Sequence, residues 1–133
     1  MNKDIVSYTL LILLYVFAGY NKIFTFNNTS KVLENKILNI IPNLKLSMEF
    51  YRLTILLVII LELLCPFILA YFLIYKNEKY KKYAELSIYS LIIFTIFATL
   101  LFHLPATGNN YYHVMSNIST IGGLLLLLNY INK

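Results

Sequence analysis

The fold of this chain is decided by residues 53–75, LTILLVIILELLCPFILAYFLIY. This run exceeds the about 20 apolar residues that a helix needs to cross a hydrocarbon core. Glu62 lies near its middle, where a carboxylate is so costly that it predicts a functional site. Pro66 follows four residues later and cannot donate a hydrogen bond to the carbonyl of residue 62. We therefore expect this helix to be kinked or opened at the acid.

The composition of the whole chain predicts one integral membrane domain over residues 1–133. The chain is 59% hydrophobic and 13% charged, with a mean hydropathy of +0.70, whereas soluble domains are about a quarter charged. Four stretches are long and apolar enough to be spanning helices. They are residues 5–26, 53–75, 86–104 and 114–131. The predicted fold is an all-α, integral membrane four-helix bundle.

A short amphipathic helix is predicted between the first two spanning helices. Ser30 can cap a helix that runs from Lys31 to about Ile41 and stops at Pro42. Its apolar residues share one face: Leu33, Ile37, Ile40 and Ile41. That pattern is typical of a helix in the membrane interface, and equally of a loop helix that packs on the bundle. We predict the interfacial placement and leave the second open.

Charge in the connections predicts that both termini are cytoplasmic. Residues 76–82 contain four lysines, whereas the connection between the third and fourth spanning helices contains no basic residue. Positive residues favour the cytoplasmic side. The first connection argues the other way, since it carries Lys31, Lys36, Lys45 and Arg52. The net charge of +5 suits an anionic lipid surface. The sequence lacks the basic patch that would indicate binding of nucleic acid.

Polar residues converge in one half of the membrane. Lys22 lies near the outer end of the first helix, Glu62 lies within the second, His103 ends the third and Asn117 lies in the first turn of the fourth. We expect Glu62 and Lys22 to form a proton-exchanging pair, His103 to donate a hydrogen bond to a ligand, and Asn117 to orient that ligand. Purely structural roles stay open for each of them, such as snorkelling of Lys22 to the interface.

The residues favour a quinone as the ligand, without deciding it. The ring and tail of a quinone prefer the bilayer, and several aromatic side chains could line its site. They are Phe17, Tyr20, Phe24, Phe67 and Phe102. Haem or a metal at His103 and His113 is disfavoured, because no further strong ligand lies beside them. Cys65 is the single cysteine, which excludes an intrachain disulfide or a redox pair.

The same positions carry a resemblance to a known family. Gly19-x-x-Lys22, Glu62, Phe102-His103, and Asn117 followed by Ile121-Gly122-Gly123-Leu124-Leu125 resemble the DoxX family of small four-helix membrane proteins. The resemblance implies a membrane subunit of a quinone-linked oxidoreductase, and name-giving members accompany a thiosulfate:quinone oxidoreductase. No sulfur-handling cysteine supports thiosulfate chemistry here. We assign Glu62, Lys22 and His103 to catalysis, and Asn117, Gly19, Gly122 and Gly123 to ligand binding.

A non-enzymatic alternative stays open at this point. The chain could be a membrane scaffold or adaptor in which the same residues only hold the helices together and the loops bind a partner protein. The partners we expect are the lipid bilayer and, as open alternatives, a redox protein or a second copy of the chain. A transporter is disfavoured, since the sequence shows no internal repeat.

Overall fold

The computed structural model describes residues 3–133, with side chains described from Ile5 onward. The described residues are mostly helical and include no strand. Its five α-helices are α1 (Lys3–Phe24), α2 (Phe26–Ile40), α3 (Met48–Tyr75), α4 (Lys81–Phe102) and α5 (Asn109–Ile131), with a short 3-10 helix at Glu78–Tyr80. The prediction of an all-α chain is confirmed.

Four segments are long and apolar enough to cross a membrane. They are Ile5–Phe24, Met48–Tyr75, Glu78–Phe102 and Asn109–Ile131. Only 17% to 28% of the most apolar window in each is buried within the protein, so large apolar side chains face outward on every one of them. Exposed apolar surface of this extent requires an apolar environment. The four helices therefore suggest a multi-pass membrane protein.

The observed helices begin earlier than the apolar runs that predicted them. α3 starts at Met48, where the hydroxyl of Ser47 accepts a hydrogen bond from the backbone N–H of Phe50. α4 and α5 likewise begin five residues before the predicted starts at 86 and 114. The reason is that polar residues extend a helix beyond its apolar part. α1 ends at Phe24 instead of residue 26, because α2 follows directly after Thr25.

The predicted start of the second helix is wrong. α2 begins at Phe26, and Ser30 lies fully buried inside it, where its hydroxyl donates to the carbonyl of Phe26. Ser30 is therefore a helix-interior residue and not a cap. Leu33 is also buried and packs with Tyr51, Ile55 and other residues of α3. Whether α2 also lies in a membrane interface stays a prediction.

α3 is continuous from Met48 to Tyr75, through Pro66. The predicted opening of the chain at Glu62 is thus wrong, whereas a kink stays a prediction. Pro66 has no N–H, so the carbonyl of Glu62 lacks its usual helical donor. Neighbouring turns hold the helix together, since Leu69 and Phe72 are buried in the main core.

The four long helices pack side by side in the order α1, α3, α4, α5, and α5 returns to α1. One core holds these helices together at the end where α1 begins, and a second core lies under α2. Tyr8 near the start of α1 contacts the ring of Tyr130 near the end of α5. Lys76, after α3, lies over the same ring. The start of α1, the end of α5 and the 76–82 connection therefore share one end of the molecule.

Two glycines lie where neighbouring helices come close together. A Cβ added to Gly19 would lie 3.0 Å from the Cβ of Glu62, and one added to Gly123 would lie 3.1 Å from Leu11. Gly122 instead has nothing within 4 Å of such a Cβ. Gly123 therefore allows close helix packing, whereas the missing side chain of Gly122 faces open space.

We expect Gly19→Ala to destabilise the protein by about 1–3 kcal/mol, because the added methyl group presses on the backbone-proximal Cβ of Glu62. Gly122→Ala is the matched control. It should be neutral or stabilising by up to about 1 kcal/mol, since alanine favours helix and meets no neighbour. Thermal unfolding in one detergent measures both. Equal melting temperatures for the two variants would contradict the close α1–α3 approach.

Candidate functional site

An ion pair joins the middle of α3 to the last turn of α1. The Nζ atom of Lys22 lies 2.8 Å from Oε1 and 2.9 Å from Oε2 of Glu62. The Glu62 side chain is only 3% exposed, and that of Lys22 is 24% exposed. Both carboxylate oxygens thus receive an N–H from one ammonium group, which is the compensation that a buried charge requires.

The position of Gly19 explains why the pair forms. Gly19 lies about one turn before Lys22, on the face of α1 that contacts Glu62 and Leu63. Because it has no side chain, the two helix backbones come close together there. Lys22, three residues on, then points along the same face and reaches the carboxylate.

A cleft of about 830 Å³ lies beside this pair. All five helices contribute lining residues, and Lys22, Glu62, His103 and Asn117 are among them. Apolar side chains make up most of the remaining wall. Three of these, Leu14, Phe97 and Leu100, are also more than half exposed at the outer surface of the protein. The cleft thus opens sideways, between helices, on the apolar surface of the molecule.

A chain of hydrogen bonds forms a polar wall of the cleft. The hydroxyl of Tyr15 on α1 lies 2.6 Å from Oγ1 of Thr95 on α4. One turn later, Oγ1 of Thr99 accepts a hydrogen bond of 2.8 Å from Nδ2 of Asn117 on α5. Tyr15, Thr95 and Asn117 line the cleft. Asn117 therefore joins α5 to α4 and is not simply a helix-start residue.

His103 lies at the mouth of the cleft, directly after α4. Its ring stacks on that of His113, with 4.7 Å between centroids. Lys36 of α2 donates to the carbonyl of Phe102 next to it. Burial lowers the pKa of His103 below its ordinary value of 6.5; nearby His113 and Lys36 lower it further, and a hydrogen bond with Asn110 opposes them. His103 is therefore neutral at pH 7, with one ring nitrogen that donates and one that accepts.

Some predicted site residues lie elsewhere. Gly19, Gly122 and Gly123 do not line the cleft, and of the five aromatic residues predicted around the ligand only Phe102 does so. The assignment of the three glycines to ligand binding therefore stays a prediction, and Gly19 contacts Glu62 from the side of α1. Within residues 3–133, no three potential metal-ligating side chains of the His, Cys, Asp or Glu type lie together. Cys65 is buried and unpaired.

Tyr15, Thr95 and Thr99 were missed by reasoning from the sequence. The spacing of these residues along their helices could have indicated that they share a face with the predicted site residues. Tyr15 precedes Lys22 by seven residues, or two turns of one helix face. Thr95, Thr99 and His103 are four residues apart, which puts them on one stripe of α4. Single hydroxyls in an apolar helix attract little notice, because each can bond to its own backbone.

No family model matches the chain, and no curated protein or solved structure matches it either. The resemblance to the DoxX family thus stays a prediction from the residues.

We expect Lys22→Met to destabilise the protein by about 3 kcal/mol, because it leaves the carboxylate of Glu62 buried without a partner. The double variant Lys22→Met/Glu62→Leu should recover most of that loss, since apolar residues can replace a buried pair. Thermal unfolding of wild type, both single variants and the double variant gives the coupling free energy. Additive effects of the two substitutions would show that the pair is not formed.

The lowered pKa of His103 predicts a loss of stability in mild acid. The unfolded chain binds a proton at this histidine more readily than the folded chain does. Stability is therefore fully present above about pH 6.5 and falls as the pH drops toward the pKa of the folded state. Melting temperatures between about pH 7.5 and 5.5 should fall less steeply for His103→Gln than for wild type. Identical slopes would contradict the lowered pKa.

Proposed function

We propose that this chain is a membrane four-helix bundle, similar to the DoxX family, that supplies a quinone-binding site to a redox partner. The observation that carries the proposal is the common cleft of Lys22, Glu62, His103 and Asn117, four polar side chains from separate segments within otherwise apolar walls. A polar cluster deep in a spanning region is costly, and such clusters mark ligand and proton pathways. Ligand pockets have this composition of apolar walls and few polar groups.

The cleft fits a quinone in size, lining and access. Its volume is within the range of about 300–1,000 Å³ that small-molecule sites occupy. Phe94, Phe97 and Phe102 give it aromatic walls, and the lateral opening allows a molecule dissolved in the bilayer to enter. When bound, a quinone supplies two-electron chemistry coupled to two protons.

The chain's own residues would hold the head group and exchange protons with it. Lys22 has a third N–H beyond the two that contact Glu62, and it can donate to an oxygen in the cleft. Glu62 can accept or release a proton, and Lys22 balances its negative charge when it is ionised. His103 is neutral and can pass a proton between the cleft and the solvent at the outer end of α4.

We also propose that both termini face the cytoplasm. The four lysines of residues 76–82 support this orientation. The contacts of Tyr130 with Tyr8 and Lys76 also support it, since they join the start of α1 and the end of α5 to that connection. The polar cleft then lies in the outer half of the membrane.

A scaffold is the second candidate, and one observation favours it. Lys22 and Glu62 satisfy one another through both carboxylate oxygens, so the pair could serve only to fix α1 against α3. Under this alternative, Lys22→Met/Glu62→Leu folds and still binds its partner protein. Under the quinone-site proposal the same double variant folds but no longer retains a quinone.

We expect a quinone, in its oxidised or reduced form, to co-purify with the wild-type protein in mild detergent. Glu62→Gln should retain less than about a tenth of that amount, because the variant loses both the charged acceptor for a ligand hydroxyl and the partner that holds the Lys22 donor beside the cleft; a tenfold loss is about 1.4 kcal/mol. Glu49→Gln is the matched control, because Glu49 is exposed and paired only with Arg52 at the start of α3. Ultraviolet spectra and mass spectrometry of the extracts measure retention.

Equal retention of quinone by Glu62→Gln and Glu49→Gln would show that Glu62 is not part of the site. Absence of any quinone in a folded wild-type preparation, with no binding of an added short-chain quinone, would favour the scaffold.

A further inference from the structure

The direction of the hydrogen bonds in the polar wall is fixed by two backbone carbonyls. Oγ1 of Thr95 lies 2.7 Å from the carbonyl of Leu91, and Oγ1 of Thr99 lies 2.6 Å from the carbonyl of Thr95. A carbonyl oxygen can only accept, so each threonine hydroxyl donates its single proton to a backbone carbonyl. Both threonine oxygens therefore act only as acceptors toward the side chains that reach them.

Tyr15 and Asn117 must then be the donors. The phenol of Tyr15 gives its one proton to Thr95, and Nδ2 of Asn117 gives a proton to Thr99. The reverse orientation of the Asn117 amide would set two oxygens with no proton between them against each other. The Tyr15 oxygen is thus left with lone pairs alone. Oδ1 of Asn117 is also left as an acceptor, to which no residue among 3–133 donates.

Glu62 adds further acceptors to the same cleft. A carboxylate has about four lone-pair positions, and Lys22 occupies one on each oxygen. The remaining positions belong to a side chain that is 3% exposed, so bulk water does not readily satisfy them. Three side chains that line the cleft therefore offer hydrogen-bond acceptors to a bound ligand. They come from three helices and are Tyr15, Glu62 and Asn117.

We infer that the cleft binds the reduced, hydroxyl-bearing form of its ligand, a quinol, in preference to the quinone. This inference rests on the proposed function, because it names the redox form that the same site selects. A quinol donates two hydrogen bonds, and one from a hydroxyl to a carboxylate is short and strong. A quinone has only carbonyl acceptors, which would face the lone pairs of Glu62 and Tyr15.

The donors in the cleft do not reverse this preference. Lys22 has one N–H to spare, but its side chain is 24% exposed and can meet water or a lipid head group instead. Asn117 keeps one N–H beside its Oδ1, and the neutral ring of His103, which also lines the cleft, has one donating and one accepting nitrogen. Each of these two side chains can therefore serve either form. The buried, charged group is the carboxylate of Glu62, and an unmatched buried acceptor is the larger cost.

The test compares binding of decyl-ubiquinol and decyl-ubiquinone to the purified full-length chain in detergent, by isothermal titration under anaerobic conditions. We expect the quinol to bind about tenfold more tightly, which is about 1.4 kcal/mol. Tyr15→Phe and Glu62→Gln should each reduce this ratio, because one removes an acceptor and the other replaces an acceptor with a donor. Glu49→Gln should keep the wild-type ratio.

Each outcome separates the inference from the proposed function. Equal affinity for the two forms, or tighter binding of the quinone, overturns the inference and leaves a quinone site in place. Binding of neither form to the folded wild type overturns both.

A second readout does not depend on any variant. A tenfold preference for the reduced form raises the midpoint potential of the bound two-electron couple by about 30 mV above that of the couple in empty detergent micelles. An unchanged or lowered potential overturns the inference.

Discussion

The buried carboxylate of Glu62 governs how α1 packs on α3. A charge 3% exposed among apolar helices needs a partner, and among the side chains described from Ile5 onward Lys22 alone supplies one. For Lys22 to reach it, α1 must lie against the middle of α3, and the absence of a side chain at Gly19 allows that approach. The pair thus fixes the spacing of α1 and α3, and the wall of the cleft follows from it.

The cleft lies between α1 and α5, beyond the end where these two helices meet. Tyr8 and Leu11 contact α5 through Tyr130 and Gly123, whereas Lys22, farther along α1, lines the cleft together with Asn117 of α5. α2 packs on α3 and borders the resulting space instead of filling it. Polar groups that would be costly on a lipid-facing surface are gathered there: the ion pair on one side, and the Tyr15–Thr95 and Thr99–Asn117 bonds on the other.

The sequence predicted the elements well and the contacts unevenly. Long apolar runs locate the spanning helices because the thickness of the bilayer sets their length. A lone acid or lysine within such a run is conspicuous because a charge in the bilayer is costly. Helix starts were missed, since polar residues such as Glu49 and Arg52 continue α3 past its apolar part. The role of Ser30 was misjudged because a serine that caps and one that bonds back to the preceding turn look alike in sequence. Gly122 and Gly123 differ only in which neighbour they face, and that depends on helix rotation.

Photoaffinity labelling with an azido-quinone tests whether a ligand occupies the cleft, because it identifies the residues beside which the ligand lies. We expect labelled residues at positions 94–103, in α4 and just after it, and at positions 116–120 of α5. This labelling should be lost in a folded Lys22→Met/Glu62→Leu variant. Labelling spread over the outer faces of the helices, or unchanged in that variant, would contradict a ligand site built on the ion pair.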